Sequence, residues 1–265
     1  MTARMSRLTW KRGLGRLWGS LSPARPRKLV LLYHSLGTNP PAVAAANFRQ
    51  QVAWLSRNAA ITSLDSVMHS SGQNPLEAAI TFDDGYASLH DQVAPILAEY
   101  GATATVYLNT GWIGESVRKV SDADLGHYPK EHFLTWDEVE ELARAGWTIG
   151  SHGVEHLDLT RQDADAVARE LAESKREIEF RLGQSCQHFA YTWGRFKPAL
   201  QHAVRNAGYM SAVSGLHGPV TATSDHYALP RIDVRAEYEL RDFIDVVRGH
   251  WDYLGLKQRL VRRLA

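Results

Sequence analysis

The chain has 265 residues, 44% hydrophobic and 22% charged, with one cysteine, Cys186, and a formal net charge of +1. This composition suits a single globular α/β barrel and excludes wholesale disorder, an intrachain disulfide and a cysteine-rich zinc site. The near-neutral total hides an asymmetry: the first 64 residues hold ten Lys and Arg and no acid, the rest 20 basic and 29 acidic residues. A net-acidic body argues against nucleic-acid binding.

Three segments are expected: a basic tail and linker over 1–27, one domain over 28–250 and a basic tail over 251–265. In the first, Trp10, Leu14, Leu17, Trp18 and Leu21 recur at helical spacing among basic residues. This reads as an amphipathic segment that could make peripheral contact with an anionic membrane through residues 1–28, with a frayed tail as the plain alternative. Gly13, Gly15 and Gly19 weaken such a helix. The front lacks the apolar stretch and cleavage site of a secretory signal, although its Arg-rich, acid-free character overlaps with organelle transit peptides. No run of about 18 apolar residues exists to span a bilayer. The expected location is therefore cytoplasmic, at a membrane face if the front binds one.

Past a linker over 20–28, strands are expected at 28–34 (KLVLLYH), 78–82 (AAITF), 103–109 (TATVYLN), 147–151 (WTIGS), 187–193 (QHFAYTW), 209–213 (YMSAV) and 227–234 (YALPRIDV). Helical patterns lie between them: Phe48 to Leu55, through Val93 and Leu97 to a stop at Gly101, Thr135 to Gly146, 163–182 closed by Gly183, and Pro198 to Ala207. A last helix is expected over 237–248. Thr135 with Glu138 three residues on makes a capping box. Strand–helix alternation repeated about seven times predicts parallel strands with helical crossovers. Polar residues gather where the strands end: His34, Asp83, Asp84, Asn109, His152, Thr192 and Arg231. In a closed barrel those ends converge on one rim, which favours closure over an open sheet.

Two motifs carry chemistry. In ITFDDGY, 80–86, two adjacent aspartates leave a strand, with Gly85 supplying a tight turn. Neighbouring carboxylates are tolerable beside a divalent cation; one can ligate while the other accepts a proton from metal-bound water. Acidic caps on a helix N-terminus are the plain alternative. In GSHGVEH, His152 and His156 stand at i, i+4, a spacing that on a helical turn puts both imidazoles on one face. With a carboxylate from another strand they make a three-ligand site with open positions.

TFDDG followed some 65–75 residues later by SHxxxH resembles the NodB-homology polysaccharide deacetylases, carbohydrate esterase family 4, over about Leu29 to Val234. The resemblance implies a distorted (β/α)7 barrel of the NodB-homology type and metal-dependent hydrolysis of an N-acetyl group on an amino-sugar glycan. It implies Asp83 as base, Asp84, His152 and His156 as ligands to one divalent ion (zinc, with cobalt or nickel as alternatives), and Arg231 as the arginine orienting the base. His34 in LVLLYHSLG resembles the acid of the poly-N-acetylglucosamine deacetylase-like subgroup, whose acid-bearing strand stands at the N-terminus; His217 and His250 are the late candidates. Trp193 in YTWGRF would line the cleft and offer its backbone N–H to an oxyanion. Tyr86, Asn109 and Thr192 join it as expected substrate contacts, and Trp112, Tyr128, Phe133 and Trp136 as sugar-stacking walls. Thr192 and Leu157 stand where the family has prolines.

Three rival readings stand beside this one. Two histidines and one carboxylate also describe non-haem iron oxygenases, which do not need Asp83. A glycan-binding protein could keep an enzyme's scaffold. A deacetylase or deformylase of a lipid-linked sugar would suit the basic front.

Overall fold

The computed structural model describes residues 2–21, 25–38, 40–70 and 74–264. Seven parallel strands close into a barrel: β1 (Arg27–Tyr33), β3 (Leu76–Phe82), β4 (Thr105–Leu108), β5 (Thr148–Ser151), β6 (His188–Ala190), β7 (Ser211–His217) and β8 (Leu229–Asp233), in that ring order. A two-residue strand, β2 (Ala60–Ile61), pairs with the start of β3, while β4 pairs only with its end, Thr81 and Phe82. Closure is uneven. β1 pairs along its whole length with β3 but at only two positions with β8, Leu31 to Ile232 and Leu32 to Asp233.

Strand periodicity of two sorts the side chains. Leu29, Leu31 and Tyr33 join the outer core with Phe48, Val52 and Leu55 of α2 (Ala45–Asn58), whereas Val30 joins Ala79, Tyr107, Ala190, Val213 and Leu229 inside the barrel. Alanine at two of these inner positions, Ala79 and Ala190, makes room for Tyr107 inside a narrow seven-strand ring. Leu64 and Val67 of α3 (Leu64–His69) pack into the inner cluster. Lys28 Nζ donates to the carbonyl of Ser70, just after α3, so α3 plugs the end where the strands begin. The end where they finish is left open for a site.

The outer helices are α4 (Ala94–Ala98, after a π turn at Leu89–Val93), α5 (Trp136–Arg144), α6 (Ala164–Leu182), α7 (Pro198–Asn206) and α8 (Leu240–Val247). Thr135 and Glu138 form the expected capping box on α5; Asp163 caps α6, and Gly183 at φ 64° ends it. The expected strand at 187–193 stops at Ala190, and a 3-10 turn follows at Thr192–Gly194. The strand expected at 209–213 runs instead from 211 to 217, because a register shift after Val213 lets it continue beside β8. His217, which lies between the expected strands, therefore ends one.

The two basic ends are helical where described: α1 (Thr2–Leu21) and α9 (Tyr253–Leu264). Both pack on the barrel. Arg12 donates from Nε and Nη2 to the buried Asp242 carboxylate at 2.7 and 2.6 Å, Tyr253 O–H donates to the Lys11 carbonyl at 3.4 Å, and Trp18 meets Tyr253 with centroids 6.4 Å apart. Gly15 sits against Trp251 so closely that a Cβ would lie 2.5 Å from its ring. The residue that weakens an isolated helix is what lets this one dock. Of the expected linker, Arg27 and Lys28 belong to β1, and residues 22–24 lie outside those described.

Candidate active site

Asp83 follows β3 in phase with Ala79 and Thr81, which places its side chain inside the barrel mouth. Asp84 turns the other way because its backbone takes φ 72°, and Gly85 continues the turn at φ 83°. His156 and Trp193 also hold positive φ, at 59° and 58°. Of the four described non-glycine residues in this costly region, three line one cavity with Asp83. Strain gathered at one place makes this cavity the candidate site.

The two aspartates have different partners. Arg231, on β8, grips Asp83 in a buried fork: Nη1 to Oδ1 at 2.7 Å and Nη2 to Oδ2 at 2.8 Å. The guanidinium is itself held by Nε donating to the Ser214 carbonyl at 3.1 Å. Burial alone would raise the Asp83 pKa, but the charges of Arg231, His152 and His34 outweigh it and lower the value to about 2. Asp84 faces the histidines. Its Oδ1 lies 3.6 Å from His152 Nε2 and 3.5 Å from His156 Nε2, and it accepts from Asn109 Nδ2 at 3.2 Å. Tyr86 O–H bonds the same carboxylate.

Both imidazoles are fixed from behind. His152 Nδ1 donates to the Ala190 carbonyl at 2.7 Å and His156 Nδ1 to that of Leu125 at 2.6 Å. A donor at Nδ1 leaves the Nε2 lone pair directed at Asp84, the tautomer a metal ligand requires. The ligand atoms of Asp84, His152 and His156 lie within 4.8 Å of one another, all three residues being buried. This donor set fits one divalent cation. His90, Asp91 and Glu138 also cluster, but Arg118 already binds both carboxylates, so a guanidinium stands where an ion would go.

The histidines do not share a helical turn. His152 follows β5, and an irregular loop through Gly153 brings His156 back. That loop is strapped by a residue the sequence reading missed. Glu170, on α6 and 7% exposed, accepts the N–H groups of Val154 at 2.7 Å and Glu155 at 3.2 Å. Gly153, at φ 85°, leaves room for that carboxylate; a Cβ there would stand 2.8 Å from it. A glutamate in phase with the inner face of α6, at Val167, Leu171 and Ser174, was the available signal.

The other expected site residues divide. His34 lines the cavity, its ring stacked on Tyr128 at 5.2 Å, which stacks on Tyr86 at 5.4 Å and so on to Phe133. Trp193 is 47% exposed over His156. Tyr86 and Asn109 are buried and hold Asp84, and Thr192 Oγ1 donates to the Leu157 carbonyl at 2.5 Å. These three, expected as substrate contacts, are supports. Phe133 and Trp136 are buried in the packing and are not sugar walls; Trp112 lies edge-on to His127, and only Tyr128 and Trp193 of the expected walls line the cavity.

Residues 71–212 match the polysaccharide deacetylase family profile. YxkH of Bacillus subtilis (strain 168), designated a polysaccharide deacetylase, is 30% identical over 79% of this chain and 72% of its own length. A poly-beta-1,6-N-acetyl-D-glucosamine N-deacetylase of Staphylococcus aureus (strain MRSA252) is 22% identical over 72% of this chain and 67% of its own. Among solved structures, the deacetylase PplD of Streptococcus pyogenes, in complex with acetate, superimposes with a TM-score of 0.71, at 22% identity over 83% of this chain and 98% of that one. IcaB of Ammonifex degensii gives 0.69, at 19% identity over 86% and 98%. These two share the fold.

Glu170→Ala should leave two loop N–H groups unsatisfied, costing about 1–3 kcal/mol in urea unfolding and roughly 10–100-fold in zinc affinity by competitive chelation; Glu170→Gln should recover most of both. Burial, the largest cause, lowers the pKa of His127, His152 and His217 to about 4 each, from 6.5. Such groups bind protons more readily unfolded, so their stabilisation is complete above pH 6.5 and is lost as pH falls through about 4. Thermal melts of the metal-free chain should show Tm declining across that window.

Proposed function

This chain belongs to the polysaccharide deacetylase family, and we propose that it hydrolyses the N-acetyl group of an amino-sugar glycan, releasing acetate and a free amine. One observation carries the reading: a carboxylate held ionised by Arg231 stands beside a three-residue ligand cluster in one cavity.

Asp84, His152 and His156 would hold one divalent ion, with zinc, cobalt and nickel all suited to a nitrogen and carboxylate donor set. When bound, such an ion supplies Lewis-acid polarisation of the acyl oxygen and of the attacking water. Asp83 takes the water's proton. The Arg231 fork holds its carboxyl below the ordinary carboxylate range, so it stands ionised to accept one. Arg231 keeps it unprotonated and correctly aimed, and a second lone pair on each oxygen remains for the proton. The Trp193 backbone N–H is the proposed donor to the oxyanion. His34 gives a proton to the departing amine; Tyr128 stacks on its ring, and no described residue takes a hydrogen bond from its ring nitrogens, which leaves them for the substrate. Arg231 positions the base, and the half-exposed Trp193 offers a stacking surface for a sugar ring.

The named activity of the staphylococcal relatives supports an N-acetylglucosamine polymer as substrate. A second reading, peripheral contact with an anionic membrane, is favoured by the exposure of Trp10 (72%) and Leu14 (42%) on the acid-free α1. It would suit a lipid-linked amino sugar. No helix among the described residues is long and apolar enough to cross a membrane.

Asp83→Asn should retain a full equivalent of zinc while acetate release from a short N-acetylglucosamine oligomer falls by about 10²–10⁴-fold; His152→Ala should lose both. Full zinc stoichiometry in His152→Ala would contradict the ligand assignment. For the membrane contact, the full chain should sediment with phosphatidylglycerol vesicles and not with phosphatidylcholine vesicles. Trp10→Ala with Leu14→Ala should reduce that binding; unchanged sedimentation would refute the contact.

A further inference from the structure

The cavity that holds Asp83 and the ligand cluster has a volume of about 510 Å³, and part of its wall comes from outside the barrel. Lys11 of α1 and Leu254, Lys257 and Gln258 of α9 line it, together with Arg235 and His217. The geometry points to a subsite, built by the two terminal helices, that takes a negatively charged group, phosphate or carboxylate, carried by the amino-sugar substrate; this rests on the deacetylase reading above.

The charge inventory of the wall supports this. Each of its carboxylates is committed. Asp83 is held by Arg231, Asp84 faces the two histidines, and Asp233 accepts from Arg235 Nε at 2.8 Å. Lys11 and Lys257 meet no carboxylate within ion-pair distance among the described residues. The Lys11 ammonium is half-buried, resting 5.9 Å from the centroid of the Tyr238 ring and 5.7 Å from that of Trp251. Burial first, and the Arg235 charge second, lower its pKa. The Glu237 and Asp233 charges oppose that lowering without coming within ion-pair distance, and an anion on the ligand would offset the burial cost more directly.

His217 closes the wall beside these cations: it is 8% exposed and lines the same cavity. The helix that brings Lys257 is fixed beside it: His217 N–H donates to Gln258 Oε1 at 2.6 Å, and Gln258 Nε2 donates to the Gly215 carbonyl at 3.3 Å. The subsite is therefore part of the fold. Lys257 and Gln258, with Gly194 and Gly215, also wall a neighbouring hollow of about 550 Å³ that adds Arg195 and Lys197. A substrate running from one hollow to the other passes Lys257.

The test uses the full chain loaded with zinc and three substrates: the neutral trimer of N-acetylglucosamine, the same trimer bearing a 1-phosphate, and the same trimer with its reducing end oxidised to a carboxylate. KM should be at least about tenfold lower for a charged trimer than for the neutral one, and whichever charged trimer is preferred identifies the group. Lys257→Gln, and Lys11→Gln with Lys257→Gln, should bring the charged-to-neutral ratio towards one. Equal KM for all three substrates, or equal losses on neutral and charged trimers in the variants, would overturn the subsite. Calorimetric titration with the deacetylated trimer, with and without the 1-phosphate, needs no turnover and so separates failure of the subsite from failure of the activity. Tighter binding of the phosphorylated form, lost in the double variant, supports the subsite, and equal binding of the two forms refutes it.

Discussion

The ion pair between Arg231 and Asp83 is the constraint from which the rest of the site follows. Two consecutive carboxylates buried at a barrel mouth repel each other, and burial leaves little solvent to screen them. Arg231 removes the conflict by taking both oxygens of Asp83 from within the barrel wall. That leaves Asp84 as the carboxylate available to the two histidines, and it separates the group that can hold a cation from the group that can take a proton. Removing either partner would leave a buried charge uncompensated, a far larger cost than the pair itself is worth.

The fold delivers these groups by simple means. Alternation along β3 sends Asp83 inward, and a left-handed turn at Asp84 sends the next carboxylate sideways. Adjacent strands bring His152 and the Ala190 carbonyl together, so the backbone of one strand sets the tautomer of a side chain on the next. The loop to His156 has no regular structure to hold it, and the Glu170 carboxylate and the Leu125 carbonyl do so instead. The aromatic stack from Phe133 to Tyr128 serves His34 in the same way.

Much of this was legible in the sequence wherever a residue's own chemistry was the signal. Asp83, Asp84, His152 and His156 announce themselves because charged and ligating side chains are out of place at strand ends, and strand–helix alternation announces the barrel. What was not legible is contact between segments far apart in the chain. Nothing in the spacing of His152 and His156 distinguishes a helical turn from a strapped loop, since the strap is 14 residues downstream of the second histidine. Tyr86, Asn109 and Thr192 carry polar groups at strand ends just as substrate-binding residues would; only their burial and their partners identify them as supports. For the basic ends, the apolar spacing of the front showed a helix and not what it packs on. Their docking depends on Gly15, which makes a seat for the Trp251 ring, and on Arg12, which finds Asp242 across 230 residues.

Those terminal helices wall part of the barrel mouth, so that Asp83 and the cluster of Asp84, His152 and His156 share one cavity with cationic side chains of α1 and α9. Every part of that arrangement presumes that Asp83 stays with Arg231 when a cation is bound. The most direct measurement is anomalous diffraction from crystals of the zinc-loaded chain. The expected map has one ion contacted by Asp84, His152 and His156, with the Arg231–Asp83 fork intact. An ion bound by Asp83, with Arg231 displaced, would contradict the separation of ligand from base.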